Sequence, residues 1–238
     1  MTLTDIFNLL QYGELANVSI SGGIDAAKGI SSNDWPILIT HINMAMTDMH
    51  TKLNLKEREV TVTQMEILSY YKLHSDHAES TPIVGDKIKY IEDSVEAPFL
   101  DDIIRINDIF NVEGKTYAIN DESDEYSLYL PKHDIVQVPY PIEGQPLHIM
   151  YKATHPKIAL DITDPDSIEI DIPEYCVEPL LAYVASRVHA SRITPEAQAL
   201  SVNLLGKYTL MLTELKTYNV FHNDPNNTNI KLGDRGWV

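Results

Sequence analysis

The segment His74-Ser75-Asp76-His77 places two imidazoles and a carboxylate within four residues. Those groups are raw material for a metal site or an acid–base pair. A bound metal needs three or more converging ligands with supporting hydrogen bonds. Two histidines three apart in a polar loop supply two, so no metal is expected here. Cys176 stands near Glu174 and Glu178, and acidic neighbours raise a thiol's pKa rather than favour the thiolate. It reads as a small apolar residue near a helix start. Ser21-Gly22-Gly23 is not followed by Lys-Ser/Thr, so it is not a phosphate-cradling loop, and no G-x-G-x-x-G, H-E-x-x-H or G-x-S-x-G occurs. Carboxylate pairs such as Asp101-Asp102 are expected by chance in a chain with 35 acidic residues, and sequence alone does not single out a glycosidase-type pair. The expectation is therefore a protein without catalytic residues, metal or cofactor. The alternative is a small metal-dependent hydrolase using scattered acids and the His74/His77 pair.

The charge points the same way. Against 35 acidic residues stand 18 basic ones, a net charge of −17. A protein that grips nucleic acid by neutralising phosphates needs clustered Lys and Arg. A surface past which DNA slides without sticking needs the opposite. The run Asp121-Glu122-Ser123-Asp124-Glu125 reads as a solvated loop or as part of such a surface, with Asp121, Glu122, Asp124 and Glu125 as the acidic cluster. The single cysteine allows no intrachain disulfide. No signal peptide and no membrane-spanning run is expected.

The elements that must position these groups fall into three stretches. A short helix is expected over 2–12, capped by Thr2 with Asp5 three residues on, and carrying Leu3, Ile6, Phe7 and Leu10 on one face. A second helix is expected over 34–54. Asn33 or Asp34 supplies its cap oxygen and Pro36 sits in its first turn, while Leu38, Ile42, Ala45, Met49 and Leu53 form its stripe. On this helix His41 and His50 read as surface or interface residues, and Met44, Met46 and Met49 as an adaptable subunit contact. Residues 57–171 read as all-β, with strands over 57–63, 67–73, 103–112, 116–119, 127–130, 135–138, 147–153 and 168–170 and turn signals between them. A third helix carries Val177, Leu180, Leu181, Val184 and Val188, with His189 packed behind them. It starts near Glu178 with Pro179 in its first turn, or at Pro173 with a kink. A fourth helix starts at Thr194-Pro195-Glu196 and runs to about residue 219, with Ala197, Leu200, Leu204, Tyr208, Met211 and Leu215 as its stripe. The short link before it predicts an antiparallel pair. Beyond it lie isolated apolar residues, Phe221, Ile230, Leu232 and Trp237, which suit anchors for another chain. The expected fold is α+β: an antiparallel helical bundle built from both chain ends (1–56 and 172–219), a β-rich insertion (57–171) and an extended C-terminal arm (220–238).

In this order, the segments "NDWPILITHINMAMTDMHTKL", "IIRINDIFNVEGKTYAIND", "LHIMYKATHPKI" and "DIPEYCVEPLLAYVASRVHASRITPEAQALSVNLLGKYTLMLTEL" span almost the whole chain. The chain resembles the head-to-tail adaptor (connector) proteins of tailed bacteriophages, most of all the tail-tube adaptors of short-tailed phages. The helix-end segment "YVASRVHASRITPEAQAL" and the strand "MYKATHP" carry the resemblance furthest, and neither is a catalytic signature. The resemblance implies a virion protein assembled in the host cytoplasm, with another neck or tail-completion protein as the alternative within the virion. It implies a ring, commonly of twelve copies, docked between the portal protein and the tail nozzle or tube, and through which DNA passes. It also implies that the C-terminal arm, with Phe221, Ile230, Leu232 and Trp237, runs onto the portal. The β insertion would offer a docking surface for the nozzle or for tail fibres. Twelve copies at −17 each would carry roughly −200 charges, enough to repel DNA from a channel wall.

Overall fold

The structure is a computed structural model that describes residues 1–16, 30–82 and 87–218. It is mixed α+β, with four α-helices and two antiparallel sheets among these residues. The chain divides into two compact units, Met1–Leu55 with Lys157–Val238, and Lys56–Pro156.

In the first unit, α1 (Leu3–Tyr12) opens on a complete capping box. Thr2 Oγ1 accepts from the Asp5 N–H at 3.3 Å, and the Asp5 carboxylate accepts from the Thr2 N–H at 2.8 Å. In α2 (Trp35–Lys52) the expected side-chain cap is not made. The buried Asp34 carboxylate instead accepts from the N–H and hydroxyl of Ser31, at 3.0 and 2.7 Å. Pro36 occupies the first turn, where its missing N–H costs nothing. α3 (Val177–Ala190) begins one residue before Glu178, directly after a 3₁₀ turn at Glu174–Cys176, so Pro179 lies in its first turn. α4 (Pro195–Thr217) is capped by Thr194, whose hydroxyl accepts from the Ala197 N–H at 3.3 Å.

The buried residues of the four helices form one hydrophobic cluster, centred on Leu3, Ile6, Leu10, Leu38, Ile42, Met49, Leu180 and Val184. Polar contacts fix the helices within it. The Tyr208 hydroxyl of α4 donates to Asp48 of α2, which also pairs with Lys52 at 2.7 Å. Tyr183 of α3 meets the Tyr208 ring edge-on at 5.0 Å. Burial, and then the Asp48 carboxylate, push the Tyr208 phenol well above its ordinary pKa. Lys207 of α4 reaches Glu178 of α3 at 2.8 Å.

Residues 157–171 belong to this unit and not to the β region in which the sequence reading placed them. Asn43 of α2 clamps Ile158, donating from Nδ2 to its carbonyl at 2.9 Å and accepting from its N–H at 3.0 Å. The expected strand at 168–170 instead meets the backbone ahead of α1. Leu3 N–H donates to the Ile168 carbonyl and Ile170 N–H to that of Met1. Glu169 makes an isolated antiparallel bridge to Thr2, and Ile170 enters the helical cluster with Ile168 packed against it, so the expected strand is reduced to one bridge covered by helices; Ile158 enters the same cluster.

The second unit contains β1 (Glu57–Thr63), β2 (Tyr70–Lys72), β3 (Ile91–Glu92), β4 (Ile103–Phe110), β5 (Tyr129–Lys132), β6 (Ile135–Gln137) and β7 (Pro146–Ala153). A four-stranded sheet runs β3-β1-β7-β4 and a three-stranded one β2-β6-β5. β1 and β7 pair along their whole lengths, Glu57 opposite Lys152 through Thr63 opposite Pro146. Alternation places Val60 and Val62 of β1 and Leu147, Ile149 and Tyr151 of β7 in a second cluster with Ile106 and Ile109 of β4. The expected strand at 116–119 makes only isolated bridges, Phe110 to Thr116 and Ile119 to Leu128. That at 127–130 is displaced to β5, and β3 was not expected.

Candidate interaction surfaces

α4 is apolar on two faces. One face carries Leu204, Tyr208 and Leu212 into the helical cluster, with Ala197 also buried. The other carries Val202, Leu205, Gly206, Thr209, Leu210 and Thr213, which line one continuous shallow surface. Their spacing, i, i+3, i+4, i+7, i+8, i+11, is that of a helical stripe. Val202 is 70 % and Leu210 60 % exposed. Thr209 and Thr213 hydroxyls donate back to the carbonyls of Leu205 and Thr209, at 3.0 and 2.8 Å, so each satisfies its hydroxyl within the helix. A Cβ added at Gly206 would meet nothing within 4 Å. Leu200, expected on the core face, is also largely exposed, because it lies in the first turns of α4, where the buried stripe holds only Ala197 before Leu204.

The methionine contact needs correction. Met46 and Met49 are buried in the helical cluster, at 2 % and 0 % exposure, and only Met44 is exposed. At about 100° per residue, Met44 and Met46 point to well-separated sides of α2. Met44 sits beside Thr40, Thr47 and Thr51 on an open groove of about 720 Å³, with Leu160 on the other bank. Those threonine hydroxyls also bond to carbonyls four residues back. His50, expected at the surface, is buried, whereas His189 is packed as expected. Phe221, Ile230, Leu232 and Trp237 lie outside the described residues, as do Ser21, Gly22 and Gly23.

The groups considered for chemistry converge only in part: His74 lies 3.4 Å from Asp76 through Nδ1 and 3.9 Å from Asp101 through Nε2, while His77, Asp102 and Cys176 are engaged elsewhere. His74 Nδ1 accepts from the Asp76 N–H and caps a single 3₁₀ turn, while the His77 ring stacks on Tyr90 at 4.6 Å with Nδ1 against the Ile88 carbonyl. Asp76 pairs with Lys87, whose ammonium holds its carboxyl below the usual range. Among the described residues no group of three or more His, Cys, Asp or Glu could hold a metal ion. Asp101 and Asp102 diverge: Asp101 accepts from Ser75, and Asp102 from Arg58 and Tyr151. The Cys176 thiol is buried, and that burial pushes it up to about 12.

The acidic cluster is fully on the surface, since Asp121, Glu122, Asp124 and Glu125 are all exposed. Asp121 accepts from the Ser123 hydroxyl at 2.6 Å and N–H at 2.9 Å, bonds that hold its carboxyl below the ordinary range, and Asp124 accepts from the Tyr126 N–H at 2.9 Å. The loop delivers Tyr126 to a semi-enclosed cavity of about 170 Å³, walled by Tyr117, Tyr126, Pro139, Tyr140 and Pro141, with Gln64 among the lining residues. Gln64 pegs the surrounding loop. Its N–H donates to the Gln145 carbonyl, its carbonyl accepts from Gly144 and its Oε1 accepts from the Ile142 N–H at 3.1 Å. Gly144 turns the chain there at φ +74°, a region that favours glycine. Neither this cavity nor the second stripe of α4 figured in the sequence reading. The stripe was legible in the spacing 202, 205, 206, 209, 213, whereas the cavity joins residues far apart in sequence.

Among the described residues no helix is long and apolar enough to cross a membrane. Compared with protein-family models and with curated proteins, the chain gives no match.

Proposed function

We propose that this chain is a structural virion protein that assembles into a ring between portal and tail and leaves a passage for DNA. In this reading the helices from both chain ends make the bundle that forms the ring's body, and residues 57–156 are an inserted module. Residues 220–238 are an arm carrying Phe221, Ile230, Leu232 and Trp237 to the portal. The observation that carries the reading is the second apolar stripe of α4. A helix apolar on two faces is satisfied only when both are covered. Its own core covers one, and a neighbouring copy in a closed ring would cover the other. The order of segments shared with adaptor proteins, and the charge of −17 suited to a wall that releases DNA, support the same reading.

Native mass spectrometry and electron microscopy of the purified chain, alone and with portal, test it. The expected result is a closed oligomer that the double substitution Leu205→Glu/Leu210→Glu reduces to monomer. The variant should stay folded, with the unfolding free energy of its monomer within about 0.5 kcal/mol of that of the parent monomer, as for surface changes. Removing residues 221–238 should abolish portal docking and leave the oligomer intact. A chain that stays monomeric at micromolar concentration and does not associate with portal sinks the proposal.

A further inference from the structure

We infer that the cavity around Gln64 is a binding site for a proline-bearing, extended segment of another protein, flanked in that partner by basic residues. The inference concerns the β unit alone and does not depend on the ring.

Gln64 is 2 % exposed, yet only one end of its amide is used. Because Oε1 accepts from the Ile142 N–H, the orientation of the amide is fixed, and Nε2, whose two donors make no hydrogen bond among the described residues, keeps contact with solvent. A ligand that covers this amide without bringing an acceptor strands those donors at a cost, and one that brings an acceptor does not. The site is thus built and pre-pegged, and it selects for an acceptor.

The cavity's size and walls restrict what brings that acceptor. About 170 Å³ is close to the ~150 Å³ that admits a benzene ring, and below the ~300–1,000 Å³ of sites for whole small-molecule ligands. It therefore holds one ring-sized residue of a longer ligand. Tyr126 and Tyr140, 68 % and 62 % exposed, offer flat surfaces to the residues on either side. The lining contains no carboxylate and no cationic side chain. A sugar would leave several hydroxyls without partners against tyrosine and proline rings. A proline ring has no N–H to strand in an apolar slot, holds its chain extended at low entropic cost, and is followed or preceded by a carbonyl that can accept from Nε2. Aromatic-walled slots with a side-chain donor are the general means of reading such segments. The exposed carboxylates of residues 121–125 run directly into Tyr126, so charge complementarity favours basic residues beside the proline.

The test uses the full chain and three probes: a capped oligoproline ending in two arginines, a capped glycine-serine peptide with the same ends, and a cello-oligosaccharide. Binding is followed by tyrosine fluorescence and by amide shifts. The oligoproline should bind at least tenfold more tightly than the glycine-serine peptide. Gln64→Glu keeps the acceptor for Ile142 and removes the donor, so it should weaken binding about tenfold with the fold intact. Tyr126→Ala and Tyr140→Ala, both at exposed positions, should each do the same. Equal binding of the two peptides would show charge attraction alone and overturn the assignment. So would unchanged affinity in the Gln64→Glu and tyrosine variants, or a preference for the saccharide. Oligoproline binding that appears only after removal of residues 219–238 would mean that the chain's own Pro225 segment is the occupant, which also overturns it.

Discussion

The two units treat buried polar groups in opposite ways. In the β unit the buried tyrosines are tied down. Tyr71 hydroxyl accepts from the Met65 N–H and donates to its carbonyl, Tyr90 does the same at Lys72, and Tyr151 donates to Asp102 at 2.9 Å. Asp102 in turn accepts from Arg58 at 2.9 Å. Among the described residues, the buried atoms without a hydrogen-bond partner in the helical unit include Thr4 Oγ1, Asp34 Oδ1, His41 Nδ1 and both ring nitrogens of His189, against Asp134 Oδ1 in the β unit. A sheet core that fixes its register through buried hydroxyls is specified by directional bonds. The helical core has the Tyr208–Asp48 bond and the Asn43 clamp beside its orphaned imidazoles, so its apolar burial tolerates more polar mismatch than the sheet core does.

That contrast can be broken experimentally. The largest effect should come from Asp102→Ala, which strands the Arg58 guanidinium and the Tyr151 hydroxyl together. A loss of about 3 kcal/mol in urea unfolding is expected. A loss below about 1 kcal/mol would mean that solvent replaces the carboxylate and that the sheet core is less directional than its bonds suggest. The opposite sign is expected for His189→Leu, which removes two orphaned nitrogens from a site only 4 % exposed and should raise stability by about 1 kcal/mol. A substantial loss there would reveal packing or a partner specific to imidazole.

The smallest effect is a pH dependence. Burial first, and then the Arg187 guanidinium, hold the His41 imidazole below its ordinary value of 6.5. The folded pKa is the lower one, so the unfolded chain takes up more protons as acid is added. The stability that neutral His41 contributes is complete above about pH 6.5 and is lost as pH falls through the folded value. His41→Gln should flatten that limb of a stability–pH curve, and identical slopes in parent and variant would refute the assignment to His41.

The helices were the more legible half. Thr2 with Asp5, and Thr194 before Pro195, are local signals, and both produce the caps they promise. Where a side chain had two local choices, the reading failed: Asp34 bonds Ser31 and leaves α2 uncapped. The strands were legible where alternation is long, as in β1 and β7. β3 is only Ile91 and Glu92, too short to leave a period, and exists because β1 offers it an edge. The boundary at 171 missed because Ile168 and Ile170 alternate like a strand, although helices cover them. Met44, Met46 and Met49 were grouped by residue type, and helical angle separates Met44 from the buried pair Met46 and Met49. The Gln64 cavity had no signature, since its walls meet only through pairing between strands distant in sequence.

The pairing of β1 with β7 has a further consequence. Lys56 carbonyl accepts from the Ala153 N–H, and Glu57 lies opposite Lys152, so the incoming and outgoing strands of the β unit stand one ladder rung apart, about 5 Å. To the remainder of the polypeptide, everything between them amounts to a single hairpin. Such a graft point lets the intervening module be lengthened, shortened or exchanged without altering the gap its host must close. Lineages sharing the helical frame would then be free to diverge in what they display there.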